Sequence, residues 1–246
     1  MSDAFWDSFD EAWRLVRTLD PEVMEIAWRS LRVAATSSAL SFILLALPLG
    51  ALIHFNRFPG KNLLIMLIHT MFALPAVAVG LIAYHLLSQA GPMADLHWLF
   101  TTKGIIFAQM ILITPVMLGL VISALSGVDK SIPETAIALG ANRRQTYMIS
   151  IREARYGILT ALVMGFGRAI SEVGVSLMVG FNIVGVTRTL TTAITLENGR
   201  GETELALALG MILILVAFAV NFIAYGFQYH KQLFPWHVRN FYFARR

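Results

Sequence analysis

Two charged residues, Arg168 and Glu172, lie four positions apart inside a long apolar stretch of this sequence. On a helix that spacing places both side chains on one face, where they can form an ion pair. An arginine near the centre of a bilayer costs about 2.5–3.5 kcal/mol, so its side chain should face protein or a water-filled path. We interpret the pair either as part of a gate or as a structural pair that holds neighbouring helices together.

Hydroxyl and amide side chains cluster in and just after the same stretch. An anion that crosses a bilayer needs hydrogen-bond donors, because its uncompensated burial is prohibitive. The alternative is that these hydroxyls bond to the backbone of their own helices. The residues of this candidate translocation path are Ser171, Ser176, Asn182, Thr187 and Thr191.

Other kinds of chemistry find little support in the sequence. There are no cysteines, which excludes thiolate catalysis, disulfides and cysteine-ligated metals. The histidines at positions 54, 69 and 85 lack the spacing of a metal-ligand pair, and no clustered catalytic constellation is present. The sequence also lacks a Gly-x-x-x-x-Gly-Lys-Ser/Thr phosphate-binding loop. We therefore expect no ATP site, metal or cofactor in this chain and do not predict it to be an enzyme by itself.

The elements that must position these residues are membrane-spanning helices. Hydrophobic residues make up 57% of the 246 residues and charged residues only 14%, whereas soluble domains carry about a quarter charged residues. A membrane span requires roughly 20 mostly apolar residues. The stretches that meet this requirement are 33–53, 63–87, 104–125, 156–179 and 205–229. The predicted fold class is an all-α integral membrane protein with about five transmembrane helices.

Lysines and arginines are distributed unequally between the loops on the two sides of the membrane. One set of loops, together with the basic tail 231–246, holds eleven of them, and the opposite loops hold three. Because basic residues are retained in the cytoplasm, the loop 126–155 and the C-terminus are predicted to be cytoplasmic and the N-terminus outside. Arg29 and Arg32, which precede the first span, oppose this orientation. We attribute the net charge of +4 to topology and expect no nucleic-acid partner.

The N-terminal segment 1–30 mixes acidic and basic residues and lacks an apolar run, so a cleaved signal peptide is not expected. The sequence FWDSFDEAWRLVRTLD places Phe5, Phe9, Trp13 and Val16 near helical spacing. This pattern is typical of an amphipathic helix that lies against lipid at the membrane interface. A solvated helix packed on the rest of the protein is the alternative.

The polar loop 126–155 contains the signals of two short helices. Ser131 and Glu134 have the spacing of a capping box. Gly140 suits the left-handed position that ends a helix, and Asn142 can cap a second one. Helices of two turns are only marginally stable alone, so this helix–turn–helix elbow is expected to need a partner surface. An interfacial loop anchored by its basic residues is the alternative.

Within this loop, ETAIALGANRRQTYMISI resembles the EAA loop of permease subunits of ABC importers. Thr135 replaces the usual alanine, and Ile151–Arg152 stands where Leu–Pro is usual. The resemblance implies that a cytoplasmic ATPase, which carries ATP and Mg²⁺, docks on residues 131–152 and transmits its closure to the membrane helices. The coupling residues implied are Glu134, Thr135, Ala136, Gly140, Ala141, Arg143 and Arg144.

Three further stretches, FGRAISEVG, GFNIVGVTRTLTTAI and TLENGRGE, resemble the tungstate-importer permeases, to which molybdate permeases are near relatives. The resemblance implies the type I ABC importer permease fold over the transmembrane domain 31–230. It also implies a homodimer in the cell membrane, two copies of the ATPase and an extracytoplasmic oxyanion-binding protein. Tungstate is the implied substrate, with molybdate or another oxyanion as the alternative. A secondary transporter would show inverted repeats and further intramembrane acids, neither of which the sequence contains.

Overall fold

The structure, a computed structural model, describes residues 2–229, and the predicted tail 231–246 lies outside this range. The described residues are mostly helical and contain no strand, which confirms the predicted all-α fold. The helices are α1 (Ser2–Arg17), α2 (Pro21–Leu40), α3 (Leu47–Phe55), α4 (Lys61–Thr70), α5 (Ala76–Leu87), α6 (Thr102–Ser126), α7 (Ser131–Ala138), α8 (Arg143–Glu153), α9 (Arg155–Ile170), α10 (Gly174–Gly180), α11 (Leu190–Arg200) and α12 (Thr203–Tyr229).

Within the described residues, three uninterrupted stretches are long and apolar enough to cross a membrane. They are Pro21–Phe55, Thr102–Ser126 and Thr203–Ile223. Two bent helix pairs, α4 with α5 and α9 with α10, pass the same test when each pair is taken together. Up to five spans result, which agrees with the number predicted from the apolar stretches.

The first span changes its hydrogen bonding near its middle. The Asp20 carboxylate accepts backbone N–H groups at the start of α2, as an N-cap residue does. Between α2 and α3, residues Ser41–Ala46 form a π-helix, and the Leu47 N–H donates to a carbonyl five residues earlier. Pro48 follows directly and has no N–H for the carbonyl four residues before it. The irregular turn therefore lies beside the proline that interrupts the helical hydrogen bonds.

The second and fourth spans are broken. α4 and α5 meet at 99°, and α9 and α10 meet at 58°. Pro75, just before α5, lies at the first break, and Glu172 lies at the second. Gly174, the first residue of α10, contacts the start of α5 so closely that a Cβ atom on it would lie 3.2 Å from the Val77 nitrogen. The two breaks therefore lie side by side.

α6 is the central helix of the bundle and packs against α2, α3, α9 and α10. Small residues let α9 approach it closely. Ala161, Gly165 and Ala169 are all buried. A Cβ atom on Gly157 would lie 2.7 Å from the Cβ of Ala124 on α6. This contact holds the first half of the fourth span firmly against the core.

The N-terminal helix α1 packs along α12, with Ala12 fully buried. Trp6 and Trp13 stay more than half exposed on the same helix. The helix therefore packs on the rest of the protein, as the second of the two alternatives describes. Its position at a membrane interface stays a prediction that the exposed tryptophan rings favour.

Candidate functional site

α7 and α8 form the predicted elbow, which connects the end of α6 to the start of α9. The predicted capping box of Ser131 and Glu134 is wrong, because Ser131 lies inside α7 and the N-cap residue Lys130 makes no side-chain cap. Asp129 takes this role: its carboxylate accepts the Ser131 N–H over 2.8 Å. That hydrogen bond favours the charged carboxylate and lowers the pKa of Asp129.

Gly140 ends α7 as the sequence predicts. Its φ is +88°, a conformation that residues with a Cβ atom adopt only at a cost. The Gly140 N–H donates to the Ile137 carbonyl, and the Ala141 N–H donates to the Ala136 carbonyl, each over 2.9 Å. These two hydrogen bonds form a Schellman motif. They satisfy carbonyls at the end of α7 and set the direction in which the chain leaves it.

α8 begins with a reciprocal capping box. The Asn142 side-chain oxygen accepts the Gln145 N–H over 2.9 Å, and the Gln145 side-chain oxygen accepts the Asn142 N–H over 2.8 Å. The predicted cap at Asn142 is therefore confirmed, and Gln145 three residues later was a readable signal for the box. Because both sides of the turn are hydrogen-bonded, the elbow has a defined angle.

The outer surface of the elbow is partly apolar. Leu139 is 83% exposed, and Ile137 and Met148 are also exposed. Leu139 and Met148 line the same open groove, and exposed apolar groups that lie together commonly mark a surface for another protein. The sequence reasoning did not single out these residues. Of the predicted coupling residues, Ala136 is buried, Ala141 is half-buried, and the exposed ones are Glu134, Thr135, Gly140, Arg143 and Arg144.

An aromatic stack joins the elbow to the first span. The Tyr147 ring on α8 lies on the Phe55 ring at the end of α3, with centroids 4.2 Å apart and planes at 14°. Beside it, the Lys61 Nζ donates to the His54 carbonyl over 2.6 Å, which holds the start of α4 to the end of α3. These residues are distant in sequence, so no local pattern indicates the stack.

Arg168 and Glu172 meet at the break in the fourth span. The Arg168 Nε lies 3.9 Å from the Glu172 Oε2, and the two side chains are 43% and 10% exposed. The Glu172 Oε1 accepts the Gly174 N–H over 2.9 Å. The Thr191 hydroxyl donates to the Glu172 carbonyl over 2.9 Å. Inside a membrane, backbone groups freed by a break must find partners in the protein, and these hydrogen bonds supply them.

A buried glutamine on α6 supports the other side of this break, and the sequence reasoning missed it. The Gln109 Nε2 donates to the Ala169 carbonyl over 3.0 Å. The Gln109 Oε1 accepts the Ser37 hydroxyl over 2.8 Å. The amide thereby links the first, third and fourth spans at the point where α9 ends.

The residues predicted to line a translocation path lie around the same break and the loop beyond it. Ser171 is exposed, Asn182 is half-buried, and Ser176, Thr187 and Thr191 are buried. The four hydroxyls among them donate to backbone carbonyls. Ser171 and Ser176 bond to carbonyls four residues earlier, as the alternative interpretation predicts, whereas Thr187 and Thr191 bond to carbonyls of more distant residues. The Asn182 side-chain oxygen accepts a neighbouring threonine hydroxyl. Their contact with a moving anion stays a prediction.

A buried ion pair that the sequence did not indicate joins α11 to the start of the first span. The Arg188 Nη1 lies 3.2 Å from the Glu197 Oε1, with side chains 6% and 5% exposed. The same nitrogen lies 3.4 Å from the Glu22 Oε1 on α2. The Arg29 Nη1 donates to the Arg188 carbonyl over 3.1 Å. Within residues 2–229, no group of three or more His, Asp or Glu side chains is placed to hold a metal ion.

Residues 31–230 match the binding-protein-dependent transport system inner membrane components. The chain belongs to this family. One relative of this inner membrane component is a probable anion ABC transporter permease protein of Haloferax volcanii, 41% identical over 204 residues, covering 81% of this chain and 88% of the relative. The tungstate uptake system permease protein TupB of Peptoclostridium acidaminophilum is 34% identical over 222 residues, covering 90% of this chain and 97% of TupB.

The fold of this inner membrane component is also found in solved structures. The superposition on an inward-facing structure of the MetNI methionine ABC transporter has a TM-score of 0.68. It covers 84% of this chain and 94% of the transporter chain. The two sequences are 16% identical, so the likeness concerns the fold alone. It confirms the predicted fold of an ABC importer permease.

Proposed function

We propose that this chain is the transmembrane permease subunit of an ATP-driven importer that moves tungstate into the cytoplasm. The observation that carries the proposal is the similarity to a tungstate uptake permease over 222 residues, 90% of this chain. Tungstate and molybdate are both tetrahedral dianions, so molybdate is the alternative substrate within the same proposal.

In the proposed complex two copies of this chain enclose the path. Two copies of a cytoplasmic ATPase supply the energy, and an extracytoplasmic binding protein delivers the oxyanion. The excess of basic residues in and near the elbow supports a cytoplasmic position for it. By the same argument, the N-terminus lies outside and the C-terminus lies in the cytoplasm.

The exposed apolar side chains of the elbow support its role as the ATPase-docking surface. Burial of a leucine side chain against a partner contributes about 1.5–3 kcal/mol, and Leu139 is available for it. Exposed Arg143 and Arg144 at the start of α8 add positive charge that suits an acidic rim on the partner. Glu134 on α7 is exposed as well and can pair with a basic group there.

The fixed angle of the elbow allows it to act as a lever. Because Gly140 and Asn142 are both held by hydrogen bonds, a push on α7 moves α8 with it. The stack of Tyr147 on Phe55 then passes this motion to the first span, and the junction of α8 with α9 passes it to the fourth. ATP and Mg²⁺ act only on the partner subunit.

The substrate path in this proposal runs past the breaks of the second and fourth spans. The pair of Arg168 and Glu172 and the hydroxyl groups around it supply polar contacts within an apolar bundle. Broken helices of this kind are used at substrate sites in other transporters. No binding site of high affinity is needed, since the delivering protein selects the anion.

The test is reconstitution of the chain with its ATPase and binding protein into vesicles that contain ATP. Uptake of tungstate is expected only when all three components and ATP are present. Calorimetry of the isolated binding protein with tungstate and molybdate distinguishes the two substrates. Uptake that proceeds without the ATPase would show a secondary transporter and refute the proposal.

A pair of elbow variants tests the docking surface. Leu139→Asp places a charge where an apolar contact is expected, and copurification of the ATPase should fall about tenfold or more. Leu139→Met keeps the apolar volume and serves as the matched control. ATPase that copurifies equally with both variants would contradict the assignment of this surface.

A further inference from the structure

Arg168 lies deeper in its span than the basic residues at the starts of α4, α6 and α9 do. Lys61, Lys103 and Arg155 each lie within the first two residues of their helices, where their charges can reach water or lipid headgroups. Arg168 lies thirteen residues beyond Arg155 on α9, about 20 Å along the helix axis. This places its guanidinium close to the middle of the broken fourth span.

The charge of Arg168 is only loosely compensated. Its 3.9 Å separation from Glu172 exceeds the length of a hydrogen bond. Within the described part of the chain, its guanidinium makes no hydrogen bond. The other carboxylate oxygen of Glu172, Oε1, accepts the Gly174 N–H. Arg188, by contrast, is almost completely buried with a carboxylate oxygen at 3.2 Å. The charges of the two arginines therefore differ in how closely they are paired and how deeply they are buried.

An exposed guanidinium at this depth cannot face lipid at low cost. Its five N–H donors form a planar fork that matches the oxygen atoms of an oxyanion. We propose that Arg168 is the residue that contacts the tetrahedral oxyanion as it passes the break in the fourth span. This inference rests on the proposed function, and it assigns the charge-selective contact of the path to one side chain.

Glu172 has a matching role in this proposal. Its carboxylate reduces the net charge beside Arg168 and weakens the hold on a dianion, so the ion is passed on and not trapped. The last turn of α9 also favours a cation at Arg168, because helix C-termini carry partial negative charge. Glu172→Gln keeps an oxygen for the Gly174 N–H, so the break and the position of Arg168 are expected to persist in that variant.

The experiment measures oxyanions imported per ATP hydrolysed by the complete reconstituted complex, with tungstate and molybdate as separate probes. For Arg168→Gln we expect this ratio to fall about tenfold or more, because the anion loses a hydrogen bond to a charged group. ATP hydrolysis stimulated by the loaded binding protein is expected to continue. Arg168→Lys is expected to recover part of the ratio. Glu172→Gln leaves the charge of Arg168 uncompensated and holds the dianion more tightly, so the ratio is expected to fall, but by less than about tenfold. Lys103→Gln, at the end of a span, is the matched control and is expected to behave as the unchanged chain.

Three results would overturn the inference. The first is an unchanged ratio in Arg168→Gln. The second is a loss of assembly in Arg168→Gln that the double variant Arg168→Gln/Glu172→Gln restores together with transport, since this shows a structural ion pair. The third is a fall of the ratio by about tenfold or more in Glu172→Gln alone, and this result does not depend on folding of the arginine variants. Absence of oxyanion uptake by the unchanged complex would instead refute the proposed function.

Discussion

Glu197→Gln tests the buried ion pair that joins α11 to the first span. The substitution keeps the size and hydrogen-bonding atoms of the side chain but removes the charge that compensates Arg188 at 3.2 Å. Removal of one partner from a buried pair costs about 3–5 kcal/mol, because the remaining charge stays buried. Glu22 lies 3.4 Å from the same nitrogen and is largely exposed. It compensates part of the charge, so we expect a loss of about 3 kcal/mol.

This loss corresponds to a fall of about 6–12 °C in the unfolding temperature, since 1 kcal/mol shifts a domain of this size by about 2–4 °C. The assay is the temperature at which half of the detergent-solubilised protein leaves the monodisperse peak in size-exclusion chromatography. Glu25→Gln is the matched control, because Glu25 is 61% exposed, while its partner Arg29 is 12% exposed. Water reaches this carboxylate and screens the pair, so the control should shift the temperature less than Glu197→Gln does.

The double variant Arg188→Met/Glu197→Leu provides a further check. Replacement of a whole buried pair by apolar residues removes both desolvation costs and is often neutral or stabilising. We therefore expect the double variant to unfold at a higher temperature than Glu197→Gln. The reasoning is refuted if Glu197→Gln and Glu25→Gln shift the unfolding temperature equally.

The remaining predictions concern the elbow and the break. Gly140→Ala should destabilise the elbow by about 1–2 kcal/mol, because the φ of Gly140 is positive. Gly127→Ala, at a φ of −79°, is the control and should be nearly neutral. Amide hydrogen exchange of α7 measures the effect of both substitutions. Gly174→Ala places a Cβ atom 3.2 Å from a backbone nitrogen of α5 and should lower the unfolding temperature, while Gly167→Ala has open space and should not. The lowered pKa of Asp129 means that its support of α7 is present above the pKa of the unfolded carboxyl and is lost as the pH falls through the folded value. Asp129→Asn should abolish this pH dependence of α7 exchange, and a persisting dependence would assign it to another group.

Local signals were sufficient for most of the elbow. Gly140 and Asn142 act at short range, through the conformation of one residue and a hydrogen bond three positions away, so their roles are readable from the sequence. Ser131 was assigned wrongly because Asp129, two residues earlier, offers a stronger acceptor for the same end of α7. Two competing acceptors within three positions cannot be ranked by spacing alone.

The membrane spans were predictable for a similar reason, since bilayer thickness sets the length of an apolar helix. The bend in the second span has a local cause at Pro75, because proline has no N–H to donate to the carbonyl four residues before it. The bend at Glu172 had no such signal. The spacing of Arg168 and Glu172 suited an unbroken helix, and the break depends on support from Gln109 and Thr191 on other helices.

The sequence by itself determined the class of this protein, the approximate number of its spans, the position of its polar elbow, the end of α7 at Gly140 and the cap of α8 at Asn142. Each of these follows from interactions within about one helical turn or from the length of an apolar run. The tertiary structure alone decided that Arg188 pairs with Glu22 and Glu197, that Tyr147 stacks on Phe55, and that Arg168 keeps a loosely held charge. These outcomes depend on how distant helices cross, because only their packing brings the partner atoms within reach and excludes water from one arginine but not from the other.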